Sequence, residues 1–322
     1  MVPVLVGQHW SGLTQEIAQR FNTTLIPITV AQFADTETFV SIKDPEKFKD
    51  KDVLLVYQLF RVKSDAVTRS FQQSSINDQL LAIFELVDLL KLFGARSISV
   101  VLPYFPYSRQ DESVCKKYQG AIFMLGRCFK GLGVKQLAVC DLHAPAVADS
   151  YPIKLIHISL ENFWHNVIAE QIIAANPKYQ YCFVSPDKGG EERVKKMASL
   201  FDVSYAVIHK MRIAPDTAVS YDIVGDVYGK KTILIDDIVD TAHTAYGACE
   251  LLLSKGALHV YGCFTHAVLS AGACERILES KFEKVFVTDS IVGGSLDYIK
   301  KLQVIALNGW LANSIVEWWN RV

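Results

Sequence analysis

The sequence predicts an α/β protein made of two related, doubly wound parallel-sheet domains. Three observations lead there. Short β-branched runs recur that are apolar on both faces, which is what parallel strands covered by helices on both sides require. Helical patterns alternate with those runs, and alternation of strand and helix is the signature of a doubly wound sheet. The carboxyl ends of the runs carry polar or charged residues, at the place where open α/β sheets bind ligands.

In chain order, a helix is expected over residues 12–21, a strand over 53–57, and a long helix over 76–93 that stops at Gly94. This helix is apolar nearly all round, from Leu80 to Phe93, which fits either a central helix or a subunit contact. A strand over 98–102 runs into the polar segment 103–111, and a helix over 119–132 stops at Gly133. The strand 137–140 delivers Asp141-Leu142-His143. After a helix at 160–174, the strand 182–184 leads to Ser185-Pro186-Asp187 and a helix at 190–201. The strand 232–235 ends in Asp236-Asp237, followed by a helix at 245–255 that stops at Gly256. A strand at 259–264 delivers Thr265-His266 before a helix at 271–281 and a strand at 285–287. The domains are therefore expected at 1–153 and 154–305, with a terminal apolar helix in 306–322 packing back on the N-terminal domain. No linker rich in Pro, Gly or Ser separates them.

Composition bounds the function. The 322 residues include 33 Lys and Arg against 34 Asp and Glu, a net charge of -1, so a broad surface for nucleic acid or acidic lipid is not expected. Any polyanion handled must be small and locally bound. The seven cysteines are odd in number and form no C-x-x-C, so they read as reduced thiols of a cytoplasmic protein. The first Lys or Arg is Arg20, which leaves no charged start for a signal peptide. The long uncharged stretch 256–274 contains two histidines and three glycines and makes a poor membrane span.

The strongest chemical signal is the segment 232–244, Thr-Ile-Leu-Ile-Asp-Asp-Ile-Val-Asp-Thr-Ala-His-Thr. An apolar strand presents two carboxylates suited to vicinal sugar hydroxyls, and a tight turn then opens a helix whose free N–H groups can hold a phosphate. A lone Asp-Asp with Asp240 as helix cap would be the plainer interpretation, but it does not account for the whole run. A Walker-type site would need a G-x-x-x-x-G-K-[ST] partner, and the sequence has none.

With Phe33-Ala34-Asp35-Thr36-Glu37, the segments 101–111 and 141–144, Val184-Ser185-Pro186-Asp187 and Lys210-Met211-Arg212 in the same order, the chain resembles the ribose-phosphate diphosphokinase (PRPP synthetase) branch of the phosphoribosyltransferase fold family. The resemblance implies transfer of the diphosphoryl group of ATP to the C1 hydroxyl of ribose 5-phosphate, yielding AMP. It implies that Asp236 and Asp237 engage the ribose hydroxyls and that Asp240, Thr241, Ala242, His243 and Thr244 wrap the 5-phosphate. Arg109, Gln110 and Asp111 would contact ATP, with Phe33, Asp35 and Glu37 on the adenine side. In the family this last segment comes from a neighbouring subunit, so a homo-oligomer is implied, a dimer or a hexamer built from dimers. His143 and Asp187 match positions associated with Mg²⁺, which keeps several waters and few protein ligands. Lys210 and Arg212 would stabilise charge at the transferred phosphorus, on a mobile loop expected over residues 210–222.

The sequence departs from the family at several positions. His243 and Thr36 replace usual glycines, the first a possible crowding of the phosphate loop and the second a milder change in a surface turn. Lys188, Glu191 and Glu192 add charge at a helix start, where the two glutamates would suit the helix dipole. Residues 112–118 lack the Arg-rich run through which many members bind regulatory phosphate or ADP, leaving Lys116 and Lys117. An insertion over 61–75 precedes Asn77-Asp78. Two other readings follow from these features: a non-catalytic regulatory homologue, and a phosphoribosyltransferase that consumes PRPP.

Overall fold

Among the residues described, two seven-stranded sheets of identical strand order organise the chain. The computed structural model describes residues 2–9, 11–61, 74–110, 120–175, 180–211, 220–294 and 296–321, with Lys210, Met211 and Ser220 described by backbone only. Two compact units result, the first comprising residues 1–159, 289–294 and 306–322 and the second residues 160–288 and 295–305.

The first unit contains β1 (Val4–Gly7), α1 (Gly12–Phe21), β2 (Leu25–Gln32), β3 (Thr38–Ile42), β4 (Asp52–Val56), α2 (Ile76–Leu92), β5 (Ser97–Leu102), α3 (Ala121–Gly131), β6 (Val134–Cys140), α4 (Val147–Ser150) and β7 (Lys154–Ile158). Its sheet runs β3-β2-β1-β4-β5-β6-β7, parallel except where β3 folds back on β2. The central strands β4 and β5 are buried along nearly their whole length, as strands covered on both faces must be. Because β7 pairs with β6, residues 154–158 lie in this unit, beyond the boundary drawn at residue 153 from the sequence.

Local chemistry explains the helix ends. Ser11 caps α1 by accepting from the Thr14 amide. Ser75 and Asp78 form a reciprocal capping box at the start of α2, so Asp78 of the Asn-Asp pair works on the backbone. Leu80, Ile83, Leu86, Val87 and Leu90 bury one face of α2, while Leu81 and Leu92 are exposed. The insertion expected over 61–75 falls mostly outside the described residues.

The second unit contains α5 (Glu161–Ile168), β8 (Tyr181–Ser185), α6 (Glu191–Phe201), β9 (Ser204–Met211), β10 (Ser220–Val224), β11 (Lys231–Val239), α7 (His243–Ser254), β12 (His259–Ala267), α8 (Ala273–Glu279), β13 (Lys284–Thr288) and β14 (Leu302–Ile305). Its order, β10-β9-β8-β11-β12-β13-β14, repeats that of the first sheet strand for strand, and again a single edge hairpin, β9–β10, is antiparallel. Lys210 and Asp222, expected in a loop, lie on these paired strands. Residues 212–219, Arg212 among them, lie outside the described residues.

The chain returns to the first unit twice. Residues 289–294 lie along the end of β4, where the Val292 amide donates to Leu59 O at 2.9 Å and the Arg61 amide to Val292 O at 2.7 Å. A last helix, α9 (Asn308–Asn320), buries Leu311, Ala312, Ile315 and Trp318, and lies on α1 through an Arg20–Asn313 hydrogen bond and an edge-to-face Phe21–Trp319 contact. Among the described residues no helix is long and apolar enough to cross a membrane.

The described cysteines are free thiols, and Cys140, Cys182, Cys249 and Cys263 are buried. Burial pushes the Cys249 thiol up to about 12 and raises the other three as well, so none of the four forms a thiolate readily.

Candidate active site

The carboxyl end of β11 concentrates the acidic residues. Ile233, Leu234 and Ile235 are buried in the sheet between β8 and β12, and the strand continues through Asp236 and Asp237, two residues the sequence pattern had set beyond its end. Asp237 is buried, whereas Asp236 keeps 25% of its side chain exposed. The Asp237 amide donates to Asp236 Oδ1 at 2.9 Å. Burial, then the neighbouring Asp237 charge, raises the Asp236 carboxyl well above the ordinary carboxylate range.

A cation that the sequence reading missed meets this pair. Arg193 donates through Nη1 to Asp236 Oδ1 and through Nη2 to Asp237 Oδ1, both at 3.0 Å. Its placement follows from the turn after β8. Asp187 accepts from the Gly190 amide at 3.2 Å, and Ser185 Oγ donates to the Asp187 carbonyl at 2.7 Å. A Cβ at Gly190 would sit 2.4 Å from Ser185 Oγ, so glycine is needed for α6 to begin here and carry Arg193 to β11. The Asp236-Asp237 pair was itself the available clue, since adjoining carboxylates at a partly buried strand end favour a nearby cation. Glu191 and Glu192 occupy the first turn of α6, the favourable end of its dipole, without a capping hydrogen bond.

After β11 the chain turns through Asp240, Thr241 and Ala242 into α7. The helix is preceded by Ala242 in the left-handed conformation, at φ 60°, and no side chain caps it. Its first-turn amides therefore face the turn as free donors, the geometry that holds anions at helix N-termini. Small residues, Ala245, Ala248 and Cys249, let α7 pack closely on the sheet. Asp240 is not the cap; its carboxylate accepts from Ser270 Oγ.

The glycine replacements exchange their significance. His243 is the first residue of α7, exposed and helical, so its Cβ meets no left-handed strain. Thr36, in the hairpin turn between β2 and β3, has φ 76°, a conformation hostile to a β-branched residue. That turn is otherwise well tied: the Phe33 amide donates to Glu37 O at 2.9 Å, and Asp35 Oδ1 accepts from the Glu37 amide at 3.1 Å. Phe33 is 58% exposed and contacts only the edge of Phe39 among the described aromatic pairs. Arg109 and Gln110 are exposed after β5, where Gln110 Oε1 accepts from the Ala121 amide at 3.4 Å. Asp111 lies outside the described residues.

The second sheet thus brings Asp187, Lys210 and Asp236 to Thr244 to the same ends of the neighbouring strands β9, β8 and β11. In the first sheet the Phe33 to Glu37 turn and Arg109–Gln110 are three strand spacings apart, about 14 Å at 4.8 Å per strand. His143, exposed after β6, belongs to the first unit and Asp187 to the second. Among the described residues no group of three or more His, Cys, Asp or Glu forms a metal cluster.

Residues 2–122 match the family model described as the N-terminal domain of ribose phosphate pyrophosphokinase, and residues 186–321 match the phosphoribosyl synthetase-associated domain. The ribose-phosphate pyrophosphokinase of Bacillus caldolyticus is 32% identical over 307 residues, covering 94% of this chain and 90% of its own length. The chain belongs to the ribose-phosphate pyrophosphokinase family. The Fusobacterium nucleatum pyrophosphokinase is 28% identical, with 98% of this chain and 94% of its own length covered. The crystal structure of phosphoribosylpyrophosphate synthetase from Mycobacterium smegmatis superposes over 100% of both chains with a TM-score of 0.84 at 27% identity. Both pyrophosphokinase sheets are therefore of the phosphoribosyltransferase type, as the sequence predicts.

Two outcomes are expected. Thr36→Gly relieves the left-handed strain and raises stability by about 1 kcal/mol in urea unfolding; an unchanged or lower midpoint would show the turn to be unstrained. Arg193→Ala withdraws the fork from two adjoining carboxylates and costs about 3 kcal/mol. A thermal midpoint equal to that of the unaltered chain would contradict that role.

Proposed function

We infer that this chain transfers the diphosphoryl group of ATP to the C1 hydroxyl of ribose 5-phosphate, forming 5-phosphoribosyl 1-diphosphate and AMP. The observation that carries this reading is the β11–α7 turn, where paired carboxylates stand beside an open helix N-terminus. Asp236 and Asp237 accept hydrogen bonds from the ribose hydroxyls, and the amides of residues 241–244 hold the 5-phosphate, with His243 and Thr244 adding side-chain donors.

In the reaction the C1 oxygen attacks the β-phosphorus of ATP. The bond from that phosphorus to the α,β-bridging oxygen breaks, AMP leaves with the electron pair, and the hydroxyl proton passes to solvent. Catalysis rests on positioning and on neutralising charge. Lys210 and Arg212, at and after the end of β9, serve the second purpose, while Arg109, Gln110 and Asp111 bind the triphosphate.

Phe33, Asp35 and Glu37 reach the adenine of a neighbouring copy. The exposure of Phe33 supports this. The active form is thus a homo-oligomer, a dimer or a hexamer built from dimers, and the reduced thiols suit the cytoplasm.

His143 and Asp187 would hold Mg²⁺. Each is exposed in its own unit, and few protein ligands suit an ion that keeps most of its water. When bound with ATP, Mg²⁺ neutralises phosphate charge.

Purified chain supplied with Mg²⁺, ATP and ribose 5-phosphate is expected to release AMP and PRPP in equal amounts. Release of AMP should stop without ribose 5-phosphate. AMP formed regardless of the sugar, or base-dependent release of diphosphate from PRPP, would overturn the reading. Lys210→Ala should lower kcat about 10²–10³-fold with ATP affinity retained.

A further inference from the structure

The phosphate loop owes its shape to a segment from elsewhere in the second unit. After β12 the chain doubles back through residues 268–272, and both the Val268 and Leu269 amides donate to Val239 O, at 3.0 and 3.1 Å. The Ser270 amide donates to Asp240 O at 3.1 Å, and its hydroxyl donates to Asp240 Oδ1. One turn into α8, half-buried Arg276 donates through Nη1 to Thr241 O and Ala271 O, both at 2.7 Å.

This doubling back requires unfavourable backbone. Leu269 has φ 51°, Ala271 φ 35° and Gly272 φ 75°. Such conformations at leucine and alanine persist only where surrounding contacts over-determine them, and they gather at functional sites. Here the determining contacts are the ones to the phosphate loop.

We propose that Arg276 and Ser270 are positioning residues that hold the Asp240–Thr241 turn in its phosphate-receiving form. An anion held by backbone amides needs the loop's carbonyls turned away from it. Ser270 and Arg276 take up the carbonyls of Asp240 and Thr241, which leaves the amide side of the turn toward the ligand. Ser270 also holds the Asp240 carboxylate by its Oδ1, fixing a negative charge that would otherwise be free to swing toward a phosphate. The guanidinium meanwhile adds a positive charge behind the loop. Its role is indirect, exerted through Thr241. The proposal rests on the functional reading above, since it names the sugar's 5-phosphate as the group the loop receives.

The test uses the full-length chain and the variants Arg276→Ala, Arg276→Lys and Ser270→Ala. Hydrogen exchange without ligand is followed at the amides of Tyr246, Leu269 and Ser270, which donate to Ala242, Val239 and Asp240 carbonyls. Exchange in Arg276→Ala should be faster by about tenfold, equivalent to about 1.4 kcal/mol. Ribose 5-phosphate, titrated calorimetrically, should bind about tenfold more weakly, and Arg276→Lys should recover part of the loss. Ser270→Ala, which removes a single hydroxyl and keeps the fold, should show the same pattern at about threefold. KM for ATP should not change, and unphosphorylated ribose should be used equally poorly by all forms. Unchanged exchange in the unliganded Arg276→Ala and Ser270→Ala chains would overturn the proposal, as would an equal loss toward ribose. Failure of the unaltered chain to bind ribose 5-phosphate would overturn the functional reading and the brace together. Unaltered affinity in the variants would overturn the brace alone.

Discussion

Two carboxylates at adjacent positions of a sheet repel each other, and the fork of Arg193 on Asp236 and Asp237 makes their juxtaposition tolerable. Most of the second unit's geometry can be traced to this contact. For Arg193 to arrive, α6 must start immediately after the Ser185–Asp187 turn, which demands glycine at 190. For the carboxylates to stand still, β11 must be fixed on both sides, by β8 and β12, and the same fixed strand then launches the turn into α7. One guanidinium thus faces two carboxylates, in a chain that is nearly neutral as a whole. The Asp236 carboxyl is nonetheless raised, because burial and Asp237 outweigh the attraction of Arg193.

The duplicated topology invites a comparison of corresponding strand ends. In the first unit the ends of β1 and β4 hold neutral groups that satisfy one another. Gln8 Nε2 donates to Gln58 O at 2.9 Å, and the Gln58 amide donates to Gln8 Oε1 at 2.8 Å. Ser11 Oγ donates to Gln58 Oε1, and Gln58 Nε2 reaches Asp289 O at 3.1 Å. All of Gln8, Ser11 and Gln58 are buried. The same position in the second unit carries Asp236 and Asp237 beside an open turn. One strand end of the repeated fold is closed by hydrogen bonds among neutral groups, and the other carries two carboxylates met by an arginine.

Much of this was legible in the sequence where one physical signal dominates. Helix 12–21 was read correctly to the residue, and the central strands announced themselves as runs apolar on both faces. The edge hairpins β2–β3 and β9–β10 did not. Edge strands are covered incompletely, and β2 mixes buried and exposed positions from Leu25 to Gln32, so its apolar content does not form a run. Loop conformation was also illegible: Thr36 and His243 look alike as replaced glycines, yet only Thr36 has positive φ, a fact set by hairpin geometry. The Asp236 to Thr244 segment was singled out from residue type and order, and it forms a strand end and a turn into a helix. Arg193 and Arg276 were not, because each acts across a distance in sequence that no local pattern marks.

A cluster in which burial and like charge outweigh the attraction of its arginine holds a proton more tightly when folded than when unfolded. Folding then takes up a proton between the ordinary aspartate value, 3.8, and the raised folded one, so stability falls as pH rises through that window. Asn at 236 is neutral throughout and escapes this loss. The direct measurement is urea unfolding of the unaltered chain and Asp236→Asn from pH 4 to pH 8. The account predicts that the stability of Asp236→Asn relative to the unaltered chain rises with pH. Parallel curves, or a difference that shrinks as pH rises, would contradict it.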